Sequence, residues 1–529
     1  MAEFNPPVLL MSADLLPGGG SLNGRRWAGQ QLIRLWSQLC FGKDLNLLVA
    51  DHALGHEVEK FLRGLKFSTS VQTYDLFDLT QVETCGALMI PDPSIGLWSL
   101  WRDAFSKPSA ISLIGQIHTL STVGAMSLLE RIASDNVFSW DALICSSKAG
   151  HHVVEMVLEQ RDEHLAALAD VPTSRLKVNR PQLPVIPLPM PVRDIQKALP
   201  QREESRKKLG LSFDTHVILW VGRLSICSKT DLAPTYQVLE RLASQLNNKV
   251  VLIELGPDGS AEEAASLMSL KKECRHLRFL RLGGNQPTSE AVKYQALAAA
   301  DLAISLVDNV QETFGQSVVE AMAAGLPVVA SDWDGYRDLV FNGRDGFLIP
   351  TSWATNSIPI SVGLGWQHRI GATPYESFAG SLGQLVSFDL EAAFSALMTL
   401  LCDSPLRRAM GRSAAETARK KFDLTVVTHQ YKELVDDLAE RRDSADLFWQ
   451  QKQQPPLSVD PVTCFADFAT TKTHNSTNLS TKTSISSLSS LNLSSARQHF
   501  WSLLDSVCPD KEKESLKQAI WRKHHFKGF

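Results

Sequence analysis

The segment Glu312-Thr-Phe-Gly-Gln-Ser-Val-Val-Glu320 sets two carboxylates eight positions apart around a Phe-Gly step. An apolar run, Leu302–Val307, precedes it, and Gly325-Leu-Pro-Val-Val329 follows. The pattern reads as strand, loop, helix and strand, with the helix opening near Gln316. A helix N-terminus presents free N–H groups and a partial positive charge, which suits a phosphate or sugar oxygens. Gly315 has no Cβ, so backbone can approach a ligand closely there. Carboxylates accept hydrogen bonds from sugar hydroxyls. Glu312 before the helix and Glu320 within it therefore suit a ligand with an anionic middle and hydroxyl-rich ends. An isolated pair of glutamates at this spacing is more often a solvated helix face. The strands on either side and the Phe-Gly step favour a site.

The elements that must position these residues form two sets. Short apolar runs occur at Val8–Met11, Leu45–Ala50, Gly86–Ile90, Ile111–Ile117, Ala142–Cys145 and Val185–Leu188. A second set is Val217–Val221, Val250–Leu255, Leu277–Leu282, Leu302–Val307, Val328–Ala330 and Gly346–Ile349. Such runs read as strands buried on both faces of a parallel sheet, with helical crossovers between them. Two sets imply two doubly wound α/β domains. The break falls near Pro181–Lys207, which is rich in proline and then in charge, as a linker is. Thr351–Phe388 shows no clear period and reads as an inserted loop region. Leu390–Arg442 reads as two helices that turn at Asp403-Ser-Pro. Beyond Asp443 the composition changes, and Thr470–Ser495 is rich in Ser and Thr and predicts a flexible stretch.

Composition excludes several classes. The 529 residues carry a formal net charge of −4, which argues against nucleic-acid binding through bulk charge. No window holds the roughly 18 uninterrupted apolar residues of a membrane-spanning helix. The start lacks a basic stretch followed by an apolar one, so the default expectation is cytoplasmic and not secreted. The eight cysteines are scattered without a CxxC pair, which predicts neither a disulfide framework nor a zinc site.

Glu312 and Glu320 match the E-x7-E motif of the retaining GT-B glycosyltransferases of the family-4 type, and Phe314-Gly315 and Ala324-Gly325-Leu326-Pro327-Val328-Val329 fit the same pattern. The resemblance runs from about Val8 to Arg442. Trp220-Val221-Gly222-Arg223-Leu224 resembles the family's V-G-R-L segment, whose Arg holds the donor diphosphate. Lys229 stands near the family's Lys, although Thr230 replaces the usual Gly after it. Gly19 and Gly20 lie in the run Pro17-Gly-Gly-Gly20, similar to the family's Gly-rich loop after the first strand. His118, in Gln116-Ile-His-Thr119, resembles its His at the sugar end of the cleft. The linker Val185-Ile-Pro-Leu-Pro-Met-Pro-Val-Arg193 departs from the family's Ile-Pro-Asn-Gly-Val-Asp type.

The resemblance implies a GT-B fold, with two Rossmann-like domains facing across a cleft. Residues 1–190 form an acceptor-side domain and 200–425 a nucleotide-sugar domain with an insert at 351–388. A helix at 426–442 crosses back, 443–495 is a Ser/Thr-rich linker, and 496–529 is a short helical basic tail. The implied activity is hexosyl transfer from a UDP- or GDP-linked sugar to a glycan, lipid-linked or protein acceptor, as in polysaccharide biosynthesis. No cofactor and no metal are expected. Glu312, Arg223, Lys229 and His118 are the implied catalytic residues. Gly19, Gly20, Gly222, Arg223, Lys229, Thr313, Phe314, Gly315, Gln316, Ser317 and Glu320 bind the donor, with base contacts near Arg281–Asn285. Two other classes share the frame: a phosphorylase or sugar-phosphate synthase, and a non-catalytic scaffold. The basic cluster Arg522–Lys527 reads as a solvated helix end or as a peripheral membrane contact. Oligomeric state is left open.

Overall fold

A computed structural model of the chain describes residues 4–16, 24–76, 78–176, 178–247, 249–284, 288–354, 358–451 and 460–468. The loop holding Gly19 and Gly20, Asn285, the Ser/Thr-rich stretch 470–495 and the basic tail 496–529 lie outside the described residues.

Six parallel strands form the first sheet: β1 (Val8–Met11), β2 (Leu45–Val49), β3 (Val71–Asp75), β4 (Ala87–Met89), β5 (Ser112–Gln116) and β6 (Ala142–Ile144). Their spatial order is β3-β2-β1-β4-β5-β6. Six more form the second: β7 (His216–Val221), β8 (Val250–Pro257), β9 (Arg278–Gly284), β10 (Leu302–Ser305), β11 (Val328–Ser331) and β12 (Gly346–Ile349), in the order β12-β11-β10-β7-β8-β9. Consecutive residues such as Leu47, Leu48 and Val49 are all buried, although successive side chains point to opposite faces. Both faces are therefore covered by helices, which is why these runs lack polar alternation.

Two strand expectations are corrected. Val185–Leu188 forms no strand. It runs beside β6 through isolated bridges only, with the Cys145 N–H donating to Pro184 O at 2.9 Å and the Ile186 N–H donating to Cys145 O at 3.0 Å. Pro184, Pro187 and Pro189 have no N–H, so a continuous ladder cannot form. The strand of the first sheet missing from the sequence reading is β3. It lies at a sheet edge and leaves its residues partly exposed, so no apolar run marks it.

The region 351–388 is also corrected: it is not a loop. A short antiparallel pair, β13 (Thr351–Trp353) and β14 (Val386–Phe388), brackets the helices Ile358–Arg369 and Tyr375–Gly383. The first helix turns Ile360, Val362 and Trp366 to solvent and contains Gly363 and Gly365, so it shows no core-facing stripe in the sequence.

Leu390–Asp443 holds three helices rather than two, divided at Asp403 and at Asp423. Asp403 accepts from the Leu406 N–H at 2.9 Å, and Asp423 accepts from the Thr425 N–H at 3.3 Å, each capping the helix that follows. The last helix, Leu424–Asp443, packs on the first domain. Tyr431 meets Trp36 edge-on at 5.7 Å within a core that includes Leu9, Leu47 and Leu434. The chain passes between the domains twice, and the two passes touch. The Met190 N–H donates to Phe422 O at 2.8 Å, and the Leu424 N–H donates to Met190 O at 2.9 Å.

The expected linker at 443–495 does not begin at 443. Ala445 is buried beside Phe138 and Trp140, Trp449 stands 4.7 Å from the Phe138 ring, and the Ser109 N–H donates to Trp449 O at 3.2 Å. The packing against the first domain therefore continues at least to Trp449, because the aromatic pair Phe138–Trp140 needs an apolar cover. The seven cysteines among the described residues are free thiols. Among the described residues no helix is long and apolar enough to cross a membrane.

Candidate active site

β10 and β7 are neighbours, with Leu302 opposite Ile218 and Ala303 opposite Leu219. The strand order reverses between them, so the loops leaving their carboxyl ends diverge and open a crevice. Arg223 lies two residues after β7 ends, and Glu312 lies on the loop that follows β10. The topology thus brings together residues far apart in sequence.

The loop after β7 is a tight turn. The Lys229 and Thr230 N–H groups both donate to Ser225 O at 3.1 Å, and Thr230 Oγ1 donates to Leu306 O at 2.7 Å. This fixes the loop against β10 and carries the Lys229 ammonium to the Glu312 carboxylate, where Nζ donates to Oε2. Burial works against the charge on Lys229. Glu312 and, less strongly, Tyr336 outweigh it, so the net effect raises its pKa and keeps it protonated. Among the described residues Arg223 makes one side-chain hydrogen bond, to Ser228 Oγ at 3.0 Å, and no carboxylate pairs with it. An Arg with most of its five donors uncommitted, beside a Lys held charged, is suited to a diphosphate.

Backbone approaches closely at the ends of these strands. A Cβ on Gly256, at φ +145°, would fall 1.9 Å from the Gly222 carbonyl oxygen. Arg281 is absorbed into this framework, since Nη2 donates to Gly256 O at 2.6 Å and to Asp258 Oδ1 at 2.7 Å.

The helix Gln316–Ala323 begins at Gly315, which takes φ +108°. A Cβ there would lie 2.4 Å from the Tyr336 ring, so glycine is required on both conformational and steric grounds. Tyr336 is buried, and its hydroxyl shares a 2.9 Å hydrogen bond with Ser305 Oγ. Burial pushes its phenol up to about 12. Phe314 packs its ring in the core, edge-on to Phe422 at 5.9 Å, so only its backbone can face a ligand. Gln316 and Ser317 open the helix and are partly exposed. Glu320 is buried, and its Oε1 accepts from Lys293 Nζ at 2.7 Å.

The facing domain meets this loop directly. Thr313 Oγ1 donates to the His118 carbonyl at 2.6 Å, and Ser146 Oγ donates to Thr313 O at 3.3 Å. His118 follows β5 and Ser146 follows β6, so the carboxyl ends of both sheets point at one another. Thr313 is therefore an interdomain tie. The helical module after β13 adds a second bridge: Tyr375 Oη lies 2.8 Å from Ser121 Oγ, and Arg369 pairs with Glu130 at 2.8 Å. Trp353 of β13 stacks on Trp333 at 5.1 Å, beside the loop that holds Asp334.

Asp334 is a residue that sequence reading missed. It sits at φ +44° in Asp332-Trp-Asp-Gly-Tyr336, and the Asp-Gly step is the local signal for a turn there. Burial, and next the charge of Glu312, push its carboxyl up to about 8. The folded chain then holds a proton that the unfolded chain has lost above about pH 4, so stability falls as pH rises between those values. Asn at this position mimics the protonated carboxyl and tolerates positive φ. Asp334→Asn should therefore gain on the wild type in thermal unfolding between about pH 5 and about pH 8. A constant difference across that range would refute the assignment. Lys293 and Tyr336 were also missed, since only folding places them beside Glu320 and Gly315.

Among the described residues no group of three or more His, Cys, Asp or Glu side chains is placed to hold a metal ion. The arrangement can instead neutralise an anionic group with Arg223 and Lys229 and accept hydroxyl protons on Glu312 and Glu320.

Two parallel six-stranded α/β domains that meet at their carboxyl ends define the GT-B fold. Residues 201–357 match the family model described as "Glycosyl transferases group 1". The chain is 29% identical over 272 residues to a D-inositol 3-phosphate glycosyltransferase of Nocardioides sp., covering 48% of this chain and 55% of that one. It is 27% identical over 284 residues to the protein of that name from Thermobifida fusca, covering 51% and 61%. The chain thus spans about half the length of these curated relatives. Among solved structures, Anabaena HepE in complex with UDP superposes with a TM-score of 0.51 at 16% identity, over 82% of this chain and 100% of that one. The N-terminal domain of Candida albicans trehalose-6-phosphate phosphatase gives 0.50 at 10%, over 82% and 98%. At these identities the likeness is one of fold.

Proposed function

We propose that the chain is a retaining glycosyltransferase that moves a sugar from a UDP- or GDP-linked donor to a glycan, lipid-linked or protein acceptor. The observation that carries this reading is the cationic pair Arg223 and Lys229 beside Glu312, at the point where the strand order of the second sheet reverses. Arg223 and Lys229 take up the charge that develops on the leaving diphosphate. The backbone at Phe314–Ser317 adds N–H donors at the start of its helix. Glu312 accepts from donor-sugar hydroxyls and orients the anomeric carbon, and Glu320 accepts from the ribose. By the resemblance, Gly19, Gly20 and His118 are the residues assigned to meet the donor from the first domain. A donor phosphate oxygen takes the acceptor proton on the same face. No metal takes part, because two fixed cations supply the countercharge.

The family match to residues 201–357 supports the donor half of this reading. The relatives named for D-inositol 3-phosphate make that compound one member of the acceptor panel. The test is thermal stabilisation by UDP- and GDP-sugars, followed by product analysis with D-inositol 3-phosphate and with extracts as acceptor source. One nucleotide class should raise the melting temperature, and its sugar should appear in product with the anomeric configuration unchanged. Stabilisation by no nucleotide sugar, together with no transfer, would sink the proposal.

A further inference from the structure

Arg223 is aimed by a chain of side chains that reaches well outside the site. Its Nη1 donates to Ser228 Oγ at 3.0 Å. Ser228 Oγ donates to Ser225 Oγ at 2.9 Å, and Ser225 Oγ donates to Glu263 Oε1 at 2.7 Å. The proton positions in this chain are determined by its ends. A guanidinium can only donate, and an ionised carboxylate can only accept. Each hydroxyl must therefore point its hydrogen toward Glu263 and its lone pair toward Arg223.

Glu263 is fixed at the start of the helix Ala261–Glu273 by a capping box. Its Oε2 accepts from the Ser260 N–H at 2.8 Å, while Ser260 Oγ accepts from the Glu263 N–H at 3.1 Å. The same carboxylate accepts from the Cys227 N–H at 3.1 Å, and Ser225 Oγ accepts from the Ser228 N–H at 3.0 Å. Among the described residues, every partner of this carboxylate except its own cap lies on the turn 225–228. An ordinary helix cap needs only the Ser260 contacts. The contacts to Ser225 and Cys227 do a second job. They hold the turn that separates Arg223 from Lys229, and so set the spacing of the two cations.

We propose that Glu263 is a positioning residue for the donor site, acting through Ser225 and Ser228 to hold the Arg223 guanidinium where the diphosphate binds. The inference rests on the donor reading given above. Glu263 touches no ligand. It withdraws one edge of Arg223 toward the protein and leaves the opposite edge to the phosphates. A guanidinium without this tether would sample several rotamers, and binding would then carry the cost of ordering it.

The experiment is calorimetric titration of the full chain with UDP and with GDP. Ser228→Ala breaks the relay and leaves the capping box untouched. It should weaken binding of the nucleotide that the wild type prefers by about tenfold, the size of one hydrogen bond to a charged group. Its melting temperature should stay near that of the wild type. Glu263→Gln should weaken binding in the same direction. The decisive comparison is the double variant Arg223→Ala/Ser228→Ala, which should bind no worse than Arg223→Ala alone, because Ser228 acts only through Arg223. A merely structural role would give additive losses instead. Wild-type affinity in a folded Ser228→Ala protein, or full additivity, would overturn the inference and leave the donor reading intact. A wild type that binds neither nucleotide would overturn the donor reading, and the inference with it.

Discussion

Glu312→Ala should lower sugar transfer by at least about two orders of magnitude, the usual loss when a stabiliser of developing charge is removed. Two effects combine. In the proposed reaction the variant loses the acceptor assigned to orient the donor sugar, and it releases Lys229, whose ammonium is held by that carboxylate. A freed Lys229 is drawn onto the diphosphate and can tighten ground-state binding while transfer falls. Turnover should therefore collapse without a matching rise in the donor KM, the pattern of an interaction made mainly in the transition state. Glu312→Gln keeps the shape and removes the charge, so it should fall between. Purified Glu312→Ala that transfers sugar at the wild-type rate would remove Glu312 from the reaction. Unfolding is not the expected cause of the loss, because Glu312 lies on a partly exposed loop outside the hydrophobic core.

Asp301→Ala should have the largest effect on stability, about 3–5 kcal/mol, as when one partner of a buried ion pair is removed. Asp301 precedes β10, at the end of the second sheet away from the site. Its Oδ2 accepts from Arg206 Nη2 at 2.9 Å and from the Val217 N–H at 2.8 Å. Its Oδ1 accepts from Arg202 Nη2 at 2.6 Å and lies 3.5 Å from Arg407 Nη2. Arg206 is 2% exposed, and its remaining donors go to carbonyls: Ala299, Ser212, Phe213 and Thr215. Burial pulls its pKa down, and Asp301 opposes that shift. Alanine would leave a buried cation with no counter-ion and an unpaired strand N–H. Equilibrium urea unfolding measures the loss, and Asp301→Asn should recover part of it through the Val217 bond. A wild-type midpoint for Asp301→Ala would show that the carbonyls alone satisfy Arg206.

Much of the fold was legible because its central strands are buried on both faces. Runs such as Val217–Val221 and Val328–Ala330 cannot be solvent-facing, and two sets of them imply two doubly wound sheets. β3 escaped because an edge strand needs no apolar run. The helix Ile358–Arg369 escaped because its apolar side faces outward, against the pattern by which helices are recognised. In the site, the Phe314-Gly315 step was visible as a local signal, and Gly315 takes the left-handed backbone that only glycine adopts cheaply. The Phe314 ring turns into the core against Phe422, which nothing local in the sequence shows. Contacts made across the fold had no local signal at all. Lys293 reaches Glu320 over 27 residues, Glu263 reaches Ser225 over 38, and Lys229 reaches Glu312 over 83. The capping pattern Ser260-x-x-Glu263 is readable in sequence, but only the fold reveals that the same carboxylate serves a second turn.

The paired passes between the domains have a mechanical consequence. Met190 bridges to Asp423, and the same aspartate accepts from the Arg193 N–H at 3.2 Å, so one residue clasps both connections. A single strand between two bodies behaves as a swivel, free to bend and to twist. Two strands clasped side by side behave as a strap hinge, which bends about one axis and resists torsion. The two halves are thereby held to one path of approach. The Thr313–His118 hydrogen bond on the far side of the cleft is thereby kept in register by a connection that resists twisting.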